Sequence, residues 1–277
     1  MLPSLPPAHR AFLDRALPIL REDLRIVGVA AGGSYASDSM DEHSDLDLVI
    51  AVEPAHVTTV TAERADIAAA LAPLLAAFTG EHVGEPRLLI CLYAPQTLHV
   101  DLKFVALPDV RERVEDPVVL WERDGRLTAA LATGTAAYPE PDPQWIEDRF
   151  WIWVHYSSAK IARGELFEAM DFLAFLRMVV LGPLILRRAG AHTQGVRRIE
   201  KAAPALAERL CATVAQHDAS SCLHALDAAV GLYRELRPPA MTSSAAEDAA
   251  LEHLSVTRRM IHARTRQERQ DPRSHGN

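Results

Sequence analysis

Residues 28–54 read GVAAGGSYASDSMDEHSDLDLVIAVEP, and this stretch decides the fold class of the chain. Asp45 and Asp47 stand two positions apart at the start of an otherwise apolar run, which predicts a strand over 46–52. Alternate residues of a strand share a face, so we expect both carboxylates on one face and the neighbouring leucines on the other. Like charges this close repel unless a cation lies between them, which indicates a divalent metal.

A glycine and a serine, Gly33 and Ser34, precede these acids and follow a predicted strand over about 25–31. At such a junction the first N–H groups of a short helix face an anion, and glycine lets a phosphate approach the backbone. The alternative is that Ser34 only caps the helix. Because the acids follow so closely, we favour a phosphate-binding turn. Enzymes of phosphoryl or nucleotidyl transfer hold a metal ion beside the bound phosphate.

A third acid, Asp101, lies in the run LHVDLKFV at 98–105. The run alternates, with His99, Asp101 and Lys103 on one face and apolar residues on the other, which predicts a half-buried strand. Asp101 would serve as a general base for an acceptor hydroxyl or as a further metal ligand. The alternative is an ion pair with His99 or Lys103. We favour the base, because two carboxylates already suffice for one Mg²⁺.

The order Gly33-Ser34, ten residues, Asp45-x-Asp47 and a later strand acid resembles the nucleotidyltransferase superfamily that includes DNA polymerase β. The aminoglycoside and lincosamide nucleotidyltransferases are the most similar members. The resemblance implies Mg²⁺ at Asp45 and Asp47, and the phosphates of a nucleoside triphosphate, ATP by preference, at Gly33 and Ser34. It also implies Asp101 as the third acid. Hard oxygen ligands of this kind suit Mg²⁺.

The composition changes at 132–143, a stretch rich in Pro, Gly, Thr and Ala that predicts a linker. We therefore predict an α+β fold in two domains. The first, over 1–131, is a nucleotidyltransferase domain with a mixed sheet and flanking helices. The second, over 144–266, is an all-α helical bundle that binds substrate or nucleotide. The polar, arginine-rich stretch 267–277 predicts a flexible tail.

Hydrophobic spacing predicts the elements of both domains. Helices are expected over 8–22 and 58–78, the second disturbed by Pro73 in its last turns. Ala94-Pro95 separates two β-like runs and predicts a hairpin, and a further short strand is expected within 116–125. The predicted helices of the second domain cover 145–163, 165–189, 195–216, 219–236 and 243–266.

Lys160 lies on an aromatic, amphipathic helix in the second domain. The aminoglycoside nucleotidyltransferases carry a similar lysine that reaches the triphosphate, so the resemblance implies nucleotide binding by Lys160; the alternative is a solvated lysine. Some of these enzymes place a catalytic glutamate four residues earlier. Tyr156 stands there in this chain, which favours Asp101 as the base. Three acids that follow would receive a cationic acceptor or serve as ordinary acids of a helix start: Glu165, Glu168 and Asp171.

The charge and composition of the chain predict which classes of partner it binds and where it is located. The net charge of −8 disfavours a nucleic-acid substrate, and three scattered cysteines give no zinc spacing and indicate reduced thiols. The N-terminus lacks an apolar signal core, and Arg177 and Pro183 interrupt the longest apolar run, at 172–186. We expect a cytoplasmic protein with no membrane partner. The sequence does not predict its oligomeric state.

These observations predict Mg²⁺-dependent transfer of a nucleoside monophosphate, AMP from ATP, to a hydroxyl of a small molecule. An aminoglycoside-like acceptor fits this class and would connect the protein with antibiotic resistance. One alternative is modification of a protein hydroxyl, which the long helical half disfavours. The other is a non-catalytic nucleotide-sensing module, which the presence of three acids disfavours.

Overall fold

The computed structural model describes residues 5–241 and 244–270 and divides the chain into two compact units, Met1–Tyr138 and Pro139–Asn277. The first unit mixes strands and helices, and the described part of the second contains helices and no strand. The predicted α+β class, with a helical second half, is confirmed.

The N-terminal unit is built on a six-stranded mixed sheet. Its strands are β1 (Ile26–Ala31), β2 (Leu46–Val52), β3 (Leu74–Gly80), β4 (Glu85–Tyr93), β5 (Leu98–Ala106) and β6 (Val118–Glu122). In space they follow the order β3-β4-β5-β2-β1-β6. The pair β2 and β5 is parallel, and every other neighbouring pair is antiparallel. The predicted strand over 46–52, the hairpin and the last short strand are therefore confirmed.

Helices cover both faces of this sheet. They are α1 (Pro7–Glu22), α2 (Gly33–Ala36), α3 (Val57–Leu71) and α4 (Arg126–Leu131), with 3₁₀ turns at Pro54–His56, Glu81–Val83 and Leu107–Arg111. The side chains of α1 and α3 join the larger core with residues of the sheet such as Leu46, Leu48 and Val100. A smaller core on the other face contains Leu127 of α4. Because both faces are covered, β1 is buried along its whole length.

The helix predicted over 58–78 is wrong in its last part. α3 ends at Leu71, and Ala72 has an extended backbone with φ −161°. A residue before proline is disfavoured in the helical region, so Pro73 ends the helix. The following apolar residues form β3 by pairing with β4, which overrides their helix propensity.

β3 lies at the edge of the sheet and pairs with β4 among the described strands. Leu75 is 57% exposed and Phe78 is 56% exposed. The residues from Leu74 to Gly80 include no charged side chain. The edge strand is therefore uncharged and exposes two large apolar side chains.

The second unit is a helical bundle around one large core. Its elements are α5 (Pro143–Arg163), α6 (Leu166–Leu176), a π-helical turn (Arg177–Leu181), α7 (Gly182–Arg188), α8 (Ile199–Ala202), α9 (Pro204–Cys211), α10 (Ala219–Leu236) and α11 (Ala245–Gln270). The helix predicted over 195–216 is broken, because Ala203 has φ −144° and precedes Pro204. α11 includes 267–270 of the stretch predicted as a tail, and 271–277 lie outside the described residues.

One helical run among the described residues, Leu166–Arg188, is long and apolar enough to cross a membrane by length and composition. In this structure 56% of its apolar window is buried inside the protein. Leu173, Val180 and Ile185 of this run belong to the core of the helical unit. The arginine within it, Arg177, donates a hydrogen bond to the carbonyl oxygen of Thr213 at 2.5 Å.

Candidate active site

Two of the predicted acids are neighbours across the parallel strand pair. Asp47 in β2 and Asp101 in β5 are direct register partners. Adjacent residues of each strand, such as Leu48 and Val100, pack with α1 and α3. Since side chains alternate along a strand, both acids lie on the opposite face of the sheet. The topology therefore brings together two carboxylates that are far apart in sequence.

Gly33 lies directly against one of these acids. Its φ is +56°, and a Cβ atom built on it would stand 2.1 Å from Asp47 Oδ2. The backbone N–H of Gly32 donates to the carbonyl oxygen of Asp47 at 3.0 Å, which holds the turn on β2. Only a residue without a side chain fits this approach, so glycine is required by both its conformation and its surroundings.

Ser34 follows at the start of α2 and is 4% exposed. Its carbonyl oxygen accepts a hydrogen bond from the N–H of Ser39 at 3.0 Å. The alternative interpretation of Ser34 as the helix cap is wrong, because the N-cap residue is Gly32 and no side chain caps the helix. Phosphate binding by Ser34 stays a prediction.

Asp45 lies at the entry of the strand that carries Asp47 and not within it, in agreement with the predicted strand bounds 46–52. β2 begins at Leu46, so Asp45 is the last residue of the preceding loop. Local bonds shape this loop: Asp41 Oδ1 accepts from the N–H of His43 and from the hydroxyl of Ser44, each at 3.0 Å. The position of Asp45 therefore depends on the loop, whereas that of Asp47 depends on the sheet.

Glu115 was not predicted as a site residue, yet its carboxylate lies at the phosphate-binding turn. Glu115 Oε1 accepts a hydrogen bond from the N–H of Gly33 at 2.5 Å. The same oxygen would stand 2.8 Å from a Cβ atom on Gly32. The N–H group that the sequence assigns to a phosphate thus has an anionic partner within the protein. No motif marks Glu115, which precedes β6 in an irregular segment.

Two charged residues on the polar face of β5, Asp101 and Lys103, form ion pairs with different residues. His99 Nε2 lies 3.0 Å from Asp101 Oδ1, as the alternative interpretation expected. Lys103 instead pairs with Glu85 of β4, at 2.7 Å. Arg87 and then Lys103 lower the pKa of Glu85 to about 2. Lys103 is therefore paired with Glu85, and the side chain of His99, which pairs with Asp101, is 48% exposed.

The chemistry of these residues is consistent with a metal site. Among the described residues, no group of three or more His, Cys, Asp and Glu side chains is arranged to hold a metal ion. Mg²⁺ needs fewer protein ligands, because it takes one or two carboxylates together with waters and substrate phosphates. Asp45 and Asp47 offer hard oxygen donors of this kind, and Asp47 lies against the glycine turn. The donor set therefore fits Mg²⁺.

Lys160 belongs to the helical unit and has acidic partners there. Its Nζ lies 2.6 Å from Glu165 Oε2 and 2.9 Å from Glu168 Oε2. Hydrogen bonds to Glu165, and then to Glu168, raise the pKa of Lys160. The hydroxyl of Tyr156 also donates to Glu168. Glu165 and Glu168, two of the three acids expected to receive a cationic acceptor, thus bind a lysine of the same chain.

Comparison with known proteins gives a match in the N-terminal unit. Residues 13–76 match the family model of the nucleotidyltransferase domain, and this segment includes the glycine turn, Asp45 and Asp47. The comparison with curated proteins gives no significant match. The predicted recognition is confirmed at the level of this domain: residues 13–76 of the chain match the nucleotidyltransferase domain.

Two solved structures are similar to the chain. An aminoglycoside 6-adenyltransferase from Bacillus subtilis has a TM-score of 0.38 and 14% identity, and the alignment covers 89% of this chain and 97% of that chain. A nucleotidyltransferase-like protein from Exiguobacterium sibiricum has a TM-score of 0.37 and 17% identity, with coverage of 80% and 74%.

Proposed function

We propose that the protein transfers AMP from ATP to a hydroxyl of a small molecule, with Mg²⁺ as the metal. One observation carries this proposal: Asp47 and Asp101 are register partners on one sheet face, and Gly33 touches Asp47. A glycine turn, a metal-binding acid and a candidate base therefore belong to one rigid sheet and its first turn. General nucleotidyl transfer follows from the domain match, and the nucleotide, metal and acceptor are our proposal.

Nucleotide binding would begin at the glycine turn. The N–H of Gly33 and the hydroxyl of Ser34 would donate to phosphate oxygens. Glu115 accepts a hydrogen bond from that N–H. Because a carboxylate and a phosphate are both negatively charged, they repel each other. We therefore propose that Glu115 leaves Gly33 when the triphosphate binds. Asp45 and Asp47 would hold Mg²⁺, which when bound neutralises charge on the phosphates.

Asp101 would act on the acceptor. Its carboxylate takes the proton of the acceptor hydroxyl as the hydroxyl oxygen forms a bond to the α-phosphorus. The bond from the α-phosphorus to the bridging oxygen of the β-phosphate breaks, and pyrophosphate leaves with that electron pair. His99, 3.0 Å from Oδ1, orients the carboxylate. Holding the hydroxyl and the phosphorus at fixed positions replaces an encounter in solution with a single oriented complex.

For the acceptor, we propose only a chemical class and no particular compound. The net charge of −8 favours a cationic small molecule over a polynucleotide. At Glu165 and Glu168 such a molecule would compete with Lys160, which already binds both. We further propose that the protein acts in the cytoplasm.

The test is nucleotide binding followed by turnover. Thermal shift with ATP, GTP, CTP and UTP at millimolar concentration with Mg²⁺ identifies the nucleotide, because a ligand of the native state raises the melting temperature. Pyrophosphate release is then measured with aminoglycosides, other small hydroxyl compounds and hydroxyl-bearing peptides. ATP and a small hydroxyl compound are expected to be active. Turnover with peptides would indicate protein modification, and binding without turnover would indicate a sensor.

Asp47→Asn tests the metal assignment within the same assay. Asparagine keeps the size of the side chain and removes its charge, so Mg²⁺-dependent turnover should be lost while the fold persists. Asp66→Asn, an exposed acid of α3, is the matched control and should behave as wild type. Near-wild-type turnover by Asp47→Asn would show that the assignment is wrong.

A further inference from the structure

A buried histidine connects α1 with the loop that carries Asp45. His9 is 1% exposed, and its Nε2 lies 2.7 Å from the carbonyl oxygen of Ser44. A carbonyl oxygen only accepts, so Nε2 carries the proton and donates. Ser44 immediately precedes Asp45. The imidazole thus holds the backbone one residue before a proposed metal ligand.

The surroundings of the other ring nitrogen, Nδ1, show that packing alone does not explain why residue 9 is a histidine. His9 Nδ1 is buried and has no hydrogen-bond partner among the described residues. An unpaired buried polar atom is unfavourable, and a phenylalanine or leucine would fill the same space without it. The bond to Ser44 is therefore what a histidine supplies here and an apolar residue cannot.

The loop is attached to the main core by the packing of Met40 and by this hydrogen bond to Ser44. Asp41, Glu42 and His43 are exposed, and the bonds of Asp41 to His43 and Ser44 connect residues of the loop with one another. Such bonds fix the shape of the loop, but they do not fix its place on the domain. The bond from His9 starts in a helix of the main core, so it fixes the position of Ser44 relative to the sheet.

We propose that His9 is a positioning residue that holds Ser44, and through it the carboxylate of Asp45, beside Asp47. The inference rests on the proposed function, in which these two acids bind the metal–nucleotide complex. His9 itself touches neither. Its effect on the reaction passes through the backbone of Ser44.

The experiment compares His9→Gln with His9→Phe. The glutamine amide reaches about as far as Nε2 and can donate to Ser44, whereas phenylalanine keeps a ring and has no donor. Phe12→Leu is the control, because Phe12 lies one turn along α1, is 5% exposed and does not contact the loop through a hydrogen bond. The first measurement is amide hydrogen exchange over residues 40–46 without nucleotide.

His9→Phe should exchange these amides roughly tenfold faster than wild type, while His9→Gln and Phe12→Leu stay near the wild-type rate. Exchange by His9→Phe at the wild-type rate would overturn the inference and leave His9 as a core residue. If His9→Phe fails to fold, His9→Asn replaces it, since its shorter amide cannot reach Ser44.

The second measurement is the Mg²⁺ concentration for half-maximal ATP binding. It should rise roughly tenfold in His9→Phe and return toward wild type in His9→Gln. Loss of stability alone would not produce this rescue. If wild type binds no Mg²⁺-nucleotide, the proposed function fails, and the exchange rates still decide whether His9 holds the loop. Equal Mg²⁺ dependence in wild type and His9→Phe would overturn the link to Asp45.

Discussion

Gly33 and Glu115 are joined by a 2.5 Å hydrogen bond from a backbone N–H to a carboxylate oxygen. The bond satisfies an N–H group at the start of α2 and places a negative charge where a phosphate would bind. Glu115 and the triphosphate would then compete for one donor. Removing the charge of Glu115 should therefore favour the nucleotide.

Glu115→Gln should tighten ATP binding by roughly tenfold, which corresponds to ~1.4 kcal/mol. The reason is that a neutral amide accepts more weakly from Gly33 and does not repel phosphate. Isothermal titration with Mg²⁺-ATP measures the effect. Glu112→Gln, in the same segment and 79% exposed, is the control and should leave affinity unchanged. Equal affinity of both variants and wild type would refute the competition.

Gly33→Ala should abolish nucleotide binding, because the new methyl group would collide with Asp47 Oδ2, 2.1 Å away. Gly84→Ala separates this collision from backbone strain, since Gly84 also has a positive φ, +75°, and open space around it. The control should lose only about 1 kcal/mol of stability. Chemical unfolding and thermal shift with ATP measure both effects. Similar behaviour of the two variants would show that the contact with Asp47 is unimportant.

Asp101→Asn should lower kcat by roughly 10²–10⁴ and leave nucleotide affinity nearly unchanged, because proton transfer matters only in the transition state. Titration with a non-hydrolysable ATP analogue and Mg²⁺ decides the role. Lost affinity would make Asp101 a third metal ligand, and unchanged turnover would exclude both roles. Asp66→Asn again serves as the control.

Lys160→Gln should weaken ATP binding by roughly tenfold if the lysine contacts the triphosphate, since charge-assisted bonds are the stronger ones. Lys201→Gln is the control, because Lys201 is an exposed lysine of α8. Binding is measured by titration and stability by chemical unfolding. A change in stability without a change in affinity would confine Lys160 to its pairs with Glu165 and Glu168.

Glu85→Gln should destabilise the protein at pH 7 by about 1 kcal/mol, a value reduced for solvent screening of the exposed partners. Arg87 and Lys103 hold the folded-state pKa of Glu85 at about 2, below its ordinary value of 4.5. The carboxylate therefore contributes stability above about pH 4.5, and this contribution is lost as the pH falls toward 2. Urea unfolding of both proteins between pH 3 and 7 should show the difference shrinking below pH 4.5. A constant difference would argue against the ion pairs.

The strand that carries Asp47 was predictable because its apolar run is continuous and its ends are marked. The resemblance implies that the strand of Asp101 lies near this one, but the register of the two strands was not predictable, since register between distant segments depends on the topology of the whole sheet. Asp101 was recognised as a strand acid, yet its pairing with Asp47 needed the parallel arrangement of β2 and β5.

The conformation of β3 and the long-range contacts of Glu115 and His9 could not be predicted from the sequence, for different reasons. β3 has the composition of a helix, and pairing with β4 decides its conformation. Glu115 and His9 act on the turn and on the Asp45 loop from 82 and 35 residues away. Contacts at that separation leave no periodic signal along the chain.

The uncharged edge strand β3 bears on how the protein behaves in concentrated solution. Its backbone groups and the exposed Leu75 and Phe78 form a template on which another chain can add a strand. Natural edges are usually blocked by lysine or proline within the strand, and neither occurs between Leu74 and Gly80. Added salt would not weaken such an association, because there is no charge to screen, whereas dilution would.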